Sequence, residues 1–260
     1  MLASSVPAVQ NARFEYLLRL GDDALILSHR LSEWCGHAPV LEQDIALANI
    51  ALDLLGQARM LLTHAGEVEG AGRSEDDLAY FRTSQQFRNA LLVEYPNQDW
   101  AYTIVRQFFF DVYHYHLYQA LLHSTDTHLA AIAEKALKEC TYHLRYSSEW
   151  VVRLGDGTPV SHQKMQAAVD ELWMYSGELT TPDAIDLAIA ADGIGPNLLP
   201  IKTLWAEKVT AILTEATLVK PTQTWMQSGG RSGRHTEHLD RLLAEMQHLQ
   251  RTFPDRKSVV

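Results

Sequence analysis

Residues 41–64, LEQDIALANIALDLLGQARMLLTH, decide the fold. They hold no Pro and only Gly56 as a helix-weakening residue, and most of the others are good helix formers. Leu41, Ile45, Ala48, Leu52 and Leu55 mark one apolar stripe at helical spacing, and Leu47, Ile50, Ala51, Leu54, Ala58 and Leu61 mark a second beside it. A helix apolar on so much of its circumference is expected to pack on several sides, in the middle of a domain. A thin polar line at i, i+4, i+8 runs between the stripes: Asn49, Asp53, Gln57. It reads either as a solvated face or as an inward seam of carboxylates and amides, the kind of seam in which helix bundles hold carboxylate-bridged metals.

Outward from this segment the chain reads as helices. Leu17, Leu20, Ala24, Leu27 and Leu31 give an amphipathic helix from Arg13 to about Trp34, after a loose lead-in over residues 1–12. Residues 76–89 form a weaker helical segment, followed by a short apolar strip, LLVEYP. Asn97 is the expected N-cap of a long aromatic helix over 98–123. A fourth long helix spans 128–154, and Gly155 and Gly157 end it. Shorter helices are expected at 161–177, 182–192 and 199–217, with Thr181-Pro182-Asp183 as a helix start, and a last one at 236–251. No long alternating strand pattern occurs. Two antiparallel pairs, 13–65 and 98–154, joined by a crossover describe an all-α, ferritin-like four-helix bundle, with the shorter C-terminal helices packed outside it. Residues 13–253 read as one domain and 254–260 as a tail.

Composition narrows the function. A net charge of −10 argues against nucleic acid, whose phosphates need clustered Lys and Arg. Cys35 and Cys140 are far apart, so neither a zinc knuckle nor a disulfide framework is expected. No signal segment and no run of about 18 apolar residues is visible, so a cytoplasmic protein without a membrane span is expected.

A two-metal carboxylate bundle needs one Glu from each of two helices and Glu-x-x-His from each of the other two. Where the second helix should supply that motif it has Asp53-Leu54-Leu55-Gly56, and the fourth helix has Glu139-Cys140-Thr141-Tyr142. Both imidazoles are absent. The third helix carries Asp111 and His114, and the first offers only Asp22, Asp23 and Glu33. Asp111 with His114, or Glu139 with His143, would supply one metal ion at most. With twelve histidines such pairs arise by chance, as does Glu245-Met246-Gln247-His248. A residual polar seam is therefore expected, in which Asp53, Asp111 and Glu139 find Arg30, Arg145, Gln57, His or Tyr as partners. Gly229–His235, GGRSGRH, reads either as a phosphate loop or as a surface loop or partner contact.

Four stretches carry a family resemblance: LxLGDxxLxLSxRLxEWCGHAPxLExDxALANIxLDLLGQAR (18–59), QFxNxLLVExPN (86–97), KExxYHLRxS (138–147) and GxxGxHTEHLxxxLAEMQxLQR (230–251). They resemble the non-catalytic structural subunits of phenylacetyl-CoA epoxidase, a multicomponent monooxygenase of aerobic phenylacetate breakdown. The resemblance implies a hetero-oligomer with a homologous di-iron catalytic subunit, and with reductase and accessory components. Iron, NADPH and flavin or iron–sulfur groups are then expected only in those partners, with no cofactor and no catalytic residue in this chain. It also implies that phenylacetyl-CoA meets this chain at the interface. The candidate coenzyme A contacts are the turn Gln86, Phe87, Arg88, Asn89 and the short helix around Leu187, Ala188 and Ile189. The competing expectation is an autonomous ferritin-like oxygenase or metal-storage protein built on Asp53, Asp111, His114, Glu139 and His143.

Overall fold

A computed structural model of the chain describes residues 6–254. Helix α1 (Val6–Ser32) pairs antiparallel with α2 (Leu41–Glu69), and α5 (Trp100–Leu121) pairs antiparallel with α6 (Thr127–Gly155). These four make the bundle. The connection between the pairs holds α3 (Glu75–Tyr80), a 3-10 turn (Ser84–Gln86) and α4 (Leu91–Glu94). Beyond the bundle come α7 (Pro159–Thr180), α8 (Ala184–Ala191), α9 (Leu198–Glu215), α10 (Glu237–Met246) and α11 (His248–Thr252).

Capping explains several boundaries. Asp99, not Asn97, caps α5, its carboxylate accepting from Ala101 N at 2.9 Å. Asn97 is instead held by Arg30 and Arg106. Asp183, two residues beyond Thr181, caps α8 in a reciprocal box with Asp186. Helix α1 begins at Val6, so residues 6–12 are not a lead-in; the expectation for residues 1–5 lies outside the described residues, as does most of the tail.

The centre of the molecule is α5 rather than α2. Phe108, Phe109 and Phe110 are fully enclosed, because α7 and α9 cover the side of α5 that the bundle leaves open. Trp173 meets Phe109 edge-on and Trp205 meets it at a tilt of 59°, and Trp205 Nε1 donates to Phe109 O at 2.9 Å. Helix α2 buries only the stripe containing Leu47, Ile50, Leu54 and Leu61. The other stripe faces out: Leu41 is 71% exposed, Ile45 54%, Leu52 63% and Leu55 42%. The expectation that α2 is packed all round therefore fails in the single chain. By length and composition α2 is also the one described helix apolar enough to cross a membrane, contrary to expectation, although its inner stripe is packed against α1 and α6.

The join between α2 and α6 has its own register. Gln43 meets Tyr146, Asp53 meets His143, Gln57 meets Glu139, and His64 meets Asp126 at the top of α6. Four polar rungs thus climb a boundary between helices that elsewhere pack through apolar groups.

Candidate functional site

The polar line of α2 divides along its length: Asn49 is exposed, Asp53 half-buried and Gln57 buried. Asp53 Oδ2 lies 3.0 Å from Nε2 of the wholly buried His143, and Gln57 Nε2 donates to Glu139 Oε2 at 2.8 Å. Deeper in, Asp111 accepts from Gln107 Nε2 and Ser147 Oγ, both at 2.7 Å. His114 Nδ1 lies 3.5 Å from the Cys140 thiol. Burial raises Asp111 to about 7, only partly opposed by His143, Ser147 and Gln107. Burial likewise lowers His114 to about 3, with His143 adding to the effect. A polar seam was expected, and Gln57 on Glu139 and a histidine on Asp53 are among the expected partners, but the two arginines are not. Arg30 turns away to the Glu94 carbonyl, and Arg145 lies along the surface beside Glu149.

These residues do not fit a dinuclear metal. Gly56 faces open space, where an added Cβ meets nothing within 4 Å, and Tyr142 is 42% exposed beneath the Arg145 guanidinium. Asp111 and Glu139 are each engaged by a neutral donor, and neither is paired with the histidine that the spacing suggested. Buried seam atoms without a protein partner include His143 Nδ1 and the amide oxygens of Gln57 and Gln107. These are one imidazole nitrogen and two weak neutral oxygens, whereas a two-metal site needs paired imidazoles and bridging carboxylates.

The Gln86–Asn89 turn is built into the protein. Phe87 is enclosed with the Arg82 guanidinium 4.2 Å from its ring centroid, and Asn89 is buried, donating to Glu94. Neither side chain offers a surface to a nucleotide. Arg88 is half-buried and bonded to Glu15, while Gln86 remains exposed. On α8, Leu187 and Ala188 are exposed and Ile189 is buried. Glu245 and His248 are both exposed and fall on separate helices.

The glycine-rich loop is neither a phosphate cradle nor a surface loop. The Glu178 carboxylate already accepts from its backbone amides, Gly229 N at 2.9 Å and Arg231 N at 3.2 Å. Arg231 runs inward to Asp23 at 2.7 Å and to the carbonyls of Arg19 and Arg88. Burial works against the Arg231 charge, but Asp23, Tyr113 and Glu178 together outweigh it and hold its pKa above the ordinary arginine value. The anion that the loop binds belongs to the protein itself. At Gly230 and Gly233 a Cβ would collide with the Asn89 and Gln85 carbonyls, which explains the glycines.

Two surface features could not be placed on the surface from the local pattern alone. One is the outward stripe of α2, because periodicity marks a face without saying what covers it. The other is an open groove of about 890 Å³ between α5, α6 and α9, lined among others by His116, Arg145, Arg153 and Lys208. Its residues come from three helices, so only the packing brings them together.

A helical bundle of the ferritin-like class, with a hydrogen-bonded seam where such bundles place their metals, is the class defined by these observations. Residues 3–257 match the family described as phenylacetic acid catabolic protein, and the chain belongs to that family. It is 52% identical over 242 residues to one of the subunits of the 1,2-phenylacetyl-CoA epoxidase of Escherichia coli strain K12, an alignment covering 93% of this chain and 97% of that relative.

Proposed function

We propose that this chain is a structural, non-catalytic subunit of a phenylacetyl-CoA epoxidase, and that it stabilises a homologous di-iron subunit. The observation that carries this reading is the seam. Its carboxylates are engaged by neighbouring amide, hydroxyl and imidazole groups, and Gly56 and Tyr142 stand where metal-binding imidazoles would be needed. The bacterial relative is named as one subunit of an epoxidase, which supports a multi-subunit setting. No cofactor is assigned to this chain; iron and the reducing groups belong to its partners in this reading.

The partner docks on the outer stripe of α2. Leu41, Ile45, Ala48, Leu52 and Leu55 alternate spacings of four and three, the seam that a facing helix fills with knobs into holes. Four of these five side chains are exposed large hydrophobics. Of the nominated coenzyme A contacts, Gln86, Arg88, Leu187 and Ala188 retain accessible surface and stay in the proposal; Phe87, Asn89 and Ile189 are enclosed and drop out.

Co-expression with a metal-binding family member tests the reading. A stable hetero-oligomer is expected, with its iron in the partner. Asp53→Asn and Glu139→Gln in this chain should leave turnover of the complex within a few-fold. A thousandfold loss with assembly intact overturns the non-catalytic role. Stoichiometric iron in the isolated chain, removed by Asp111→Ala, favours the autonomous oxygenase instead.

A further inference from the structure

We infer that His64, Glu67 and His128 form a zinc-type metal site clamping the C-terminal end of α2 to the N-terminal end of α6. The site is separate from the seam and does not depend on the functional reading above. Each residue offers one ligand atom, and the three atoms lie within 4.8 Å of one another. Glu67 Oε2 is 3.4 Å from His64 Nδ1 and 3.6 Å from His128 Nδ1. Ligands at about 2.0–2.2 Å from a tetrahedral zinc ion are about 3.3–3.6 Å apart, so two edges of the tetrahedron are already set. The two imidazole rings lie 4.2 Å apart, tilted by 51°.

The local sequence produces this arrangement. His64 and Glu67 are three apart on α2, which puts them on one helix face. His128 is the second residue of α6, and Asp126, the N-cap of that helix, fixes both sides of the site. Asp126 Oδ1 accepts from His128 N and Leu129 N, anchoring the turn that carries His128. Its Oδ2 lies 2.9 Å from His64 Nε2. Asp126 is the nearer of the two carboxylates on this ring, 2.9 Å at Nε2 against 3.4 Å for Glu67 at Nδ1, so a proton held on Nε2 leaves Nδ1 free to ligate a metal beside Glu67. A carboxylate behind a ligating histidine is the usual outer support of such a metal ligand.

The electrostatics agree. Asp126 Oδ2 also pairs with the Arg13 guanidinium at 2.6 Å, so the charge of Arg13, 3.2 Å from His64 Nε2, is balanced beside the site. The carbonyl end of α2 favours a cation, while the amide end of α6 is already occupied by Asp126. His64 is buried, and Glu67 and His128 are at least half exposed. Solvent can therefore supply the fourth ligand. Two imidazoles and one carboxylate suit zinc and its late first-row neighbours, not magnesium or calcium.

The test is titration of the chelator-treated full chain with zinc chloride, followed by equilibrium dialysis and thermal denaturation. One equivalent is expected at micromolar affinity or better, with a zinc-dependent rise in Tm of several degrees. His128→Ala and Glu67→Gln alter exposed side chains, so circular dichroism should remain unchanged. Each should weaken binding by about tenfold or more and reduce the Tm rise. Asp53→Asn and Asp111→Asn in the seam should leave zinc binding unaltered. The proposal is overturned if the parent binds no zinc at roughly 100-fold excess, if His128→Ala and Glu67→Gln bind like the parent, or if the seam variants abolish binding.

Discussion

Asp111 holds its proton up to about pH 7 in the folded chain because burial disfavours the charge more than Gln107 and Ser147 restore it. In the unfolded chain an aspartate ionises near about 4. Its folded pKa is raised, so the stability it confers is complete below about pH 4 and is lost as pH climbs toward 7. His114 behaves oppositely: its folded pKa of about 3 lies below the unfolded value, so its share is present above about pH 6.5 and is lost on acidification. The two dependences nearly cancel across that window. Asp111→Asn removes one of them and keeps both hydrogen-bond neighbours. At about pH 8 the variant is expected to be more stable by on the order of a few kcal/mol, with no advantage at about pH 4. Urea denaturation at several pH values checks this; parallel profiles for variant and parent would show that the carboxyl ionises freely. The absent imidazoles at Gly56 and Tyr142 were legible from spacing alone. Which residues meet Asp53 and Asp111 across helices was not: His143 and Ser147 reach them through how α6 is aligned with α2 and with α5, which no local pattern specifies, whereas Gln107 lies one turn from Asp111 on α5 itself.

Helix α2 illustrates what periodicity does and does not convey. Both its apolar stripes were readable, yet only one is covered within the chain, and α5 takes the central place because α7 and α9 close over it. The same logic applies to α1, where a small-residue N-terminal stretch reads as a lead-in yet forms the helix from Val6. Leu52→Asp combined with Leu55→Asp should leave the isolated chain folded, with a stability change of about 1 kcal/mol or less, since both side chains already meet solvent. In a pull-down with the metal-binding partner, the same pair should weaken association by about tenfold or more; unchanged association would place the partner on another face. Gly56→Ala meets no neighbouring atom and should stabilise the isolated chain by about 1 kcal/mol through helix propensity. Loss of stability instead would mean that the position is less open than the helix geometry indicates.

On the scale of the whole molecule, the bundle order and the crossover between pairs follow from helix lengths and loop positions, and that much was readable. The long-range ion pairs were not. Arg82 grips Asp22, Arg231 grips Asp23, Arg19 reaches Asp183 and Asp186, and His235 meets Glu94 at 2.7 Å. Each joins segments far apart in the chain, and composition cannot pair them. They seat the crossover and the late loop against α1. Removing one partner leaves a charge stranded in the interior, so Arg231→Met should destabilise by about 3–5 kcal/mol, measured by denaturant titration. A loss below about 1 kcal/mol would mean that Asp23 finds other compensation.

The late position of Arg231 has a bearing on biosynthesis. Asp23 emerges from the ribosome well before the guanidinium that will neutralise it, and Glu178 likewise precedes the amides that it will hold. The first helical pair can meet early, but its finished form waits for almost the entire polypeptide. A product terminated after Thr217 is therefore expected to be cleared by proteases rather than to persist as a smaller bundle, and pulse–chase labelling of such a product would reveal its lifetime.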